Sequence, residues 1–110
     1  MPKYLSHGSY TLEGARGLTR EGGSSRRDHF AEIVGKLGGR VEAFYFAFGG
    51  TDVYSIIDLP DNVSSAAISL ALNTGGGFQA NTVVLLTPEE MDNAVEKVGT
   101  VGYRPPGQQR

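Results

Sequence analysis

The sequence predicts an α+β domain in which one antiparallel sheet carries helices on one of its faces. Three observations lead there. Segments of strand-like and helix-like periodicity follow one another in the order β-α-β-β-α-β, with a further helix at the end. The 16 glycines among 110 residues, about twice ordinary usage, stand as punctuation at Gly22-Gly23, Gly38-Gly39, Gly49-Gly50 and Gly75 to Gly77. In the second strand segment, Phe44, Phe46 and Phe48 alternate with Ala43, Tyr45 and Ala47, so neither face is polar. Such a strand asks for helices on one side and a partner subunit on the other.

Each element has its own signal. Lys3 to Tyr10 alternates as a strand, with aromatics at Tyr4 and Tyr10. Thr11 suits the N-cap of a short helix, Leu12 to Arg20, that Gly14 and Gly17 weaken. Ser24-Ser25 offers a second cap, and Phe30, Ile33, Val34 and Leu37 then fall at the spacing of an amphipathic helix, closed by Gly38-Gly39. Arg40 to Phe48 and Asp52 to Leu59 read as strands joined through Gly49, Gly50 and Thr51. Pro60, Asp61 and Asn62 turn into a helix over Val63 to Asn73, and Phe78 to Leu86 forms the fourth strand. Thr87-Pro88-Glu89-Glu90 combines a cap, a proline at the first helical position and first-turn acids, opening a helix that runs to about Lys97. The split βαββαβ order is the ferredoxin-like pattern. Residues 1–102 make one domain, and 103–110 a Pro/Gly-rich tail.

Composition narrows the function classes. Ten basic against 12 acidic residues leave a formal charge of −2, with no like-charged block to act as a nucleic-acid stripe. There is no cysteine for disulfides or thiolate ligands, in keeping with a reducing compartment. No run approaches the roughly 20 apolar residues of a membrane span, and no leader pattern opens the chain. The expectation is a cytoplasmic protein without nucleic-acid or membrane partners.

YTLEG, KLGGRVEAFYFAFGGTDVYSIIDLPD, LLTPEEMDNA and GYRPPG together resemble the GYD-domain family over roughly residues 3 to 107. The resemblance implies a dimeric α+β barrel, with sheets packed face to face in a homodimer or larger homo-oligomer. The Gly-Tyr-Asp motif aligns with Gly50-Thr51-Asp52, so Thr51 stands where the motif has its phenol. Barrel groups of the same topology bind small organic molecules within the fold, which carries over only as analogy.

Asp52 has two readings: a turn residue accepting backbone N–H bonds, or a carboxylate at the barrel mouth that burial would turn into a general acid or base. Tyr54, two residues on, shares its strand face. Arg26 and Arg27 occupy the first turn of the long helix, where the macrodipole disfavours cations, and lie three or four residues before Phe30. They either hold an anion or tie helix to sheet through an aspartate. His7 sits mid-strand as a candidate proton carrier, His29 reads as a surface residue, and the spacing gives no metal site. Of the tyrosines, Tyr54 and Tyr10 are the pocket candidates. GGGF lacks the lysine and order of a phosphate loop, and no serine has a base. The expected pocket lies between the sheet and the first helix and takes a small anionic compound. The chemistry would be cofactor-independent proton transfer by Asp52 or His7, with Arg26, Arg27, Tyr54 and Tyr10 binding. The alternative is a non-catalytic assembly or partner-binding module.

Overall fold

A computed structural model describes residues 1–108 of the chain. Eight elements follow in order: β1 (Lys3–Tyr10), α1 (Leu12–Glu21), α2 (Gly23–Lys36), β2 (Arg40–Phe46), β3 (Val53–Asp58), α3 (Asn62–Thr74), β4 (Phe78–Leu85) and α4 (Pro88–Val101). The strands form one antiparallel sheet in the order β2-β3-β1-β4. This is the ferredoxin-like α+β arrangement.

Period-two alternation divides the sheet into two faces. Tyr4 and Ser6 of β1 and Val53, Ser55 and Ile57 of β3 are buried beneath the helices. Phe30 and Val34 of α2 and Ile68 of α3 come down onto them, and Leu59 completes the core with Tyr4 and Ile57. Leu5, His7, Tyr54, Ile56 and Val83 lie on the opposite face, which no helix covers among the described residues. A bulge between Val41 and Ala43 resets the register of β2, so that Val41, Phe44 and Phe46 all turn to the helix side.

Local chemistry ends the elements where glycine or a cap permits. Gly22, at φ 90°, breaks α1 from α2, a left-handed turn that other residues rarely adopt. Asp61 caps α3 by accepting the Ser64 N–H at 2.8 Å. Thr87 and Glu90 close a reciprocal capping box at α4, which extends to Val101, one turn beyond the expected end. Strand β2 ends at Phe46, so Phe48 lies outside the sheet and is fully exposed. The connection to β3 is correspondingly longer than Gly49 to Thr51. Of the tail, Arg104 Nη1 donates to the Gln108 carbonyl at 3.2 Å, and residues 109 and 110 lie outside the described residues.

One end of the sheet is held by charge. Lys3 Nζ donates to Asp58 Oδ1 at 2.8 Å and to Glu42 Oε2 at 3.0 Å, and Arg40 Nε lies 3.1 Å from Asp58 Oδ2. The Lys3 hydrogen bond holds the Asp58 carboxyl below its usual range, and the same bond raises the Lys3 ammonium. Asp58 therefore contributes stability that is full above its unfolded pKa of about 3.9 and is lost as pH falls through the lower folded value. The Lys3 contribution is full below about 10.4 and is lost as pH rises through the raised folded value. Asp58→Asn is expected to lower the melting temperature at pH 7 and to flatten the fall in stability below about pH 4. Urea melts at a series of pH values measure both, and an unchanged acid limb would remove Asp58 as its source.

Candidate functional site

The layer between sheet and helices is not filled. A cleft of about 380 Å³ opens between α1, α2, the end of α3 and the strands beneath, within the usual range of ligand pockets, about 300–1,000 Å³. It narrows into a recess of about 50 Å³ floored by Ser6 and Ser55. The cause lies in α1. Gly14, Gly17, Leu18 and Glu21 line the cleft at the i, i+3, i+4, i+7 spacing of one helix face. Two of the four have no side chain. At Gly14 the backbones themselves meet, and an added Cβ would collide with the Gly77 carbonyl. At Gly17 an added Cβ would meet nothing within 4 Å. The helix is thus pinned at one end and stands clear of the sheet a turn later.

Most of the lining is apolar: Leu18, Phe30, Ile33, Leu72 and Phe78. Tyr10 and Phe78, facing each other across β1 and β4, pack edge to face with centroids 4.9 Å apart. Four polar side chains share the cleft: Tyr10, Glu21, Arg26 and His29. Arg26 Nη1 reaches Glu21 Oε1 at 3.4 Å, while Ser25 Oγ donates to the same oxygen at 2.8 Å. The Ser25 bond, then the nearby guanidinium, lowers the Glu21 carboxyl. Burial pushes the Tyr10 phenol above its ordinary value, and Arg26 pulls it the other way. The Arg26–Glu21 pair is long and half-exposed, a type worth about 0–1 kcal/mol. An incoming carboxylate can therefore compete for the guanidinium.

The sequence-derived candidates separate into two groups. Arg26 and Tyr10 meet in the cleft between sheet and helices. His29, read as a surface residue, is exposed and stands at the cleft's edge. Arg27, one residue on from Arg26, points away from the cleft and pairs with Asp28 at 3.0 Å. Neither arginine ties helix to sheet through an aspartate; Asp58 takes Lys3 and Arg40 instead.

Asp52 occupies the turn. Its Oδ2 accepts the Tyr10 backbone N–H at 2.9 Å, its own N–H donates to the Gly8 carbonyl at 2.9 Å, and its carbonyl accepts from Ala47 at 2.7 Å. The residue clips the β2–β3 connection to the end of β1. Ser9 Oγ adds a bond to the Gly50 carbonyl at 3.0 Å. His7 and Tyr54 stack on the uncovered face with centroids 5.9 Å apart. Their odd spacing from Tyr10 and Val53 puts them across the sheet from Arg26. Among the described residues no three histidine or carboxylate side chains gather as a metal site would require.

Fold and cleft define a small ferredoxin-like α+β domain with a cavity roofed by its helices. The chain belongs to the GYD domain family, whose model matches residues 4–95. No curated protein and no solved structure matches it.

The two cleft glycines make opposite demands. Gly14→Ala drives a methyl group into the Gly77 backbone, and a loss of at least about 1–3 kcal/mol is expected from such overpacking. Gly17→Ala has open space and is expected to stabilise α1 by about 0.5–1 kcal/mol. Thermal melts of the two variants check the pair, and equal effects would contradict this account of the cleft.

Proposed function

We propose that this protein binds a small organic carboxylate with an apolar body in the cleft beneath α1 and α2. The observation that carries the reading is Arg26, a half-exposed guanidinium set in a cavity walled mainly by Leu18, Phe30, Ile33, Leu72 and Phe78. A planar fork of donors suits a carboxylate, and apolar walls bury the rest of such a ligand. For chemistry, the reading extends to cofactor-independent proton transfer, with Tyr10, Glu21 and His29 the titratable side chains that share the cleft with Arg26. Asp52 would act behind Tyr10, whose backbone N–H it holds. His7 and Tyr54 stand outside this site.

The uncovered sheet face favours a second element of the reading, a homodimer closed sheet to sheet. Tyr45, Tyr54 and Val83 are 71%, 43% and 44% exposed there, beside Leu5 and Ile56. Its formal charges, Lys3, Arg40, Glu42 and Asp58, are paired among themselves at one end. Contiguous apolar surface of this kind marks an interface.

Isothermal titration with benzoate, phenylacetate and octanoate, each against its neutral amide, tests the cleft. The acids are expected to bind, and Arg26→Gln to weaken them at least tenfold while leaving the amides unchanged. Equal affinity for acid and amide, or acid binding that survives the substitution, overturns the reading. For the dimer, sedimentation at about 50 μM, a concentration that populates interfaces of micromolar affinity, should show two subunits. Ile56→Arg, which puts a charge in the centre of the open face, should leave one. A monomeric parent chain refutes the assembly and leaves the cleft reading standing.

A further inference from the structure

Two buried hydroxyls interrupt the helix-covered face of the sheet. On that face Tyr4, Ser6 and Gly8 of β1 stand opposite Ile57, Ser55 and Val53 of β3, so the large pair Tyr4–Ile57 gives way to a pair of serines. A covered strand face ordinarily takes β-branched or aromatic side chains, and each serine forgoes that packing. Ser6 is 5% and Ser55 2% exposed. The two hydroxyls differ in what they still offer. Ser55 Oγ donates to the Ser6 carbonyl at 3.2 Å, so its proton is engaged and it is left as an acceptor. Ser6 Oγ makes no hydrogen bond among the described residues. Since no sealed side-chain oxygen there lacks a partner, this hydroxyl is open to the recess that the two serines floor. A hydroxyl so deep and unpaired costs stability unless something meets it.

The recess and the cleft above it share Tyr10, Arg26, Phe30, Leu72 and Phe78. These form the rim where one opens into the other, and Arg26 is the charged side chain among them. The two volumes assign the parts of a ligand. About 50 Å³ exceeds the roughly 10–15 Å³ that a water needs, but falls well below the roughly 150 Å³ of a cavity that admits an aromatic ring. One small group enters the recess, and the apolar body stays in the cleft. The carboxylate stays at the rim with Arg26, because the floor offers only neutral hydroxyls and an unpaired charge is far costlier to bury than a neutral oxygen. From a carboxylate so placed, a recess only a few atoms deep is reached by a group on the adjoining carbon.

We infer that the recess is a subsite for the 2-hydroxyl of a 2-hydroxy carboxylate, which accepts a hydrogen bond from Ser6 Oγ and donates one to Ser55 Oγ. A hydroxyl satisfies both serines at once. A 2-oxo oxygen accepts from Ser6 but has no proton for Ser55. A 2-amino group carries a positive charge past Arg26 into a neutral recess. An acid without a 2-substituent leaves both serines unmet. Three unlike contacts to one tetrahedral carbon also make the site chiral, with the carboxylate at Arg26, the hydroxyl at the serines and the apolar body in the cleft. The mirror-image ligand keeps any two of these and misplaces the third. The inference deepens the carboxylate reading and rests on it.

Isothermal titration of the full chain with phenylacetate, each enantiomer of mandelate and phenylglyoxylate tests the subsite. These share one ring and one carboxylate and differ at the adjoining carbon. One mandelate enantiomer is expected to bind about three- to tenfold more tightly than phenylacetate, the factor that neutral hydrogen bonds supply. The other enantiomer and phenylglyoxylate should fall short of it. Ser6→Ala, which removes a hydroxyl with no partner to lose, should erase the advantage of mandelate over phenylacetate. Ser55→Ala, which keeps the Ser6 donor, should erase the difference between mandelate and phenylglyoxylate. Mandelate no tighter than phenylacetate overturns the subsite while the Arg26 site stands. A preference that survives Ser6→Ala, or phenylglyoxylate equal to the better mandelate in the parent chain, overturns it as well. Failure of all the acids to bind overturns the carboxylate reading and the subsite with it.

Discussion

Helix α1 is pinned to the turn that leads into β4. Its cap residue Thr11 donates its N–H to the Gly77 carbonyl at 3.1 Å and its hydroxyl to the Gly76 carbonyl at 2.9 Å. One turn on, Gly14 lies bare against Gly77. Such an approach is open only to glycine, and the position of everything downstream follows from it. With its start held down and Gly17 giving nothing to pack, α1 spans the sheet layer as a roof rather than a plug. Gly22 then turns the chain into α2, whose first turn delivers Arg26 to the space so created. The cleft is the gap left by a helix attached at one end.

Arg26 sits in this gap at an energetic disadvantage that its neighbours offset. The α2 N-terminus presents positive backbone dipoles, and its cap residue Gly22 supplies no side-chain hydrogen bond. Glu21, itself held by a hydrogen bond from Ser25, supplies the missing negative charge from the adjoining helix end. Because that compensation is partly solvated, it balances the guanidinium without locking it.

The order of elements was legible because strand alternation, helix spacing and paired glycines all agreed. Arg26 was legible too, since a cation in the first turn of a helix contradicts the local dipole. Its neighbour Arg27 looked equivalent, yet successive residues on a helix diverge by about 100°, enough to send one inward and one to Asp28. The separation of His7 from Tyr10 was present in the numbering, because an odd interval along a strand means opposite faces. Which face the helices would cover was not written there, as both carry aromatics. The bulge after Val41 left no local signature, since it depends on register with β3. Gly17 counted only as a poor helix former. Its role as empty volume appears once Gly14, Leu18 and Glu21 are placed on the same face.

Strand β1 occupies the interior of the sheet although it is made first. Its neighbours are β3, residues 53–58, and β4, residues 78–85, both antiparallel to it. Lys3 is the partner of Leu85, so the sheet closes only after nearly the whole domain has been synthesised. Loop closure over such a span slows folding relative to local pairing. During translation both edges of β1 wait unpaired while α1, α2 and β2 emerge, an interval in which an open strand can recruit another nascent chain. Ser6, Gly8 and Ser9 interrupt the apolar residues of that strand, and an interior strand of the finished sheet is thereby kept a poor template for aggregation while it stands alone.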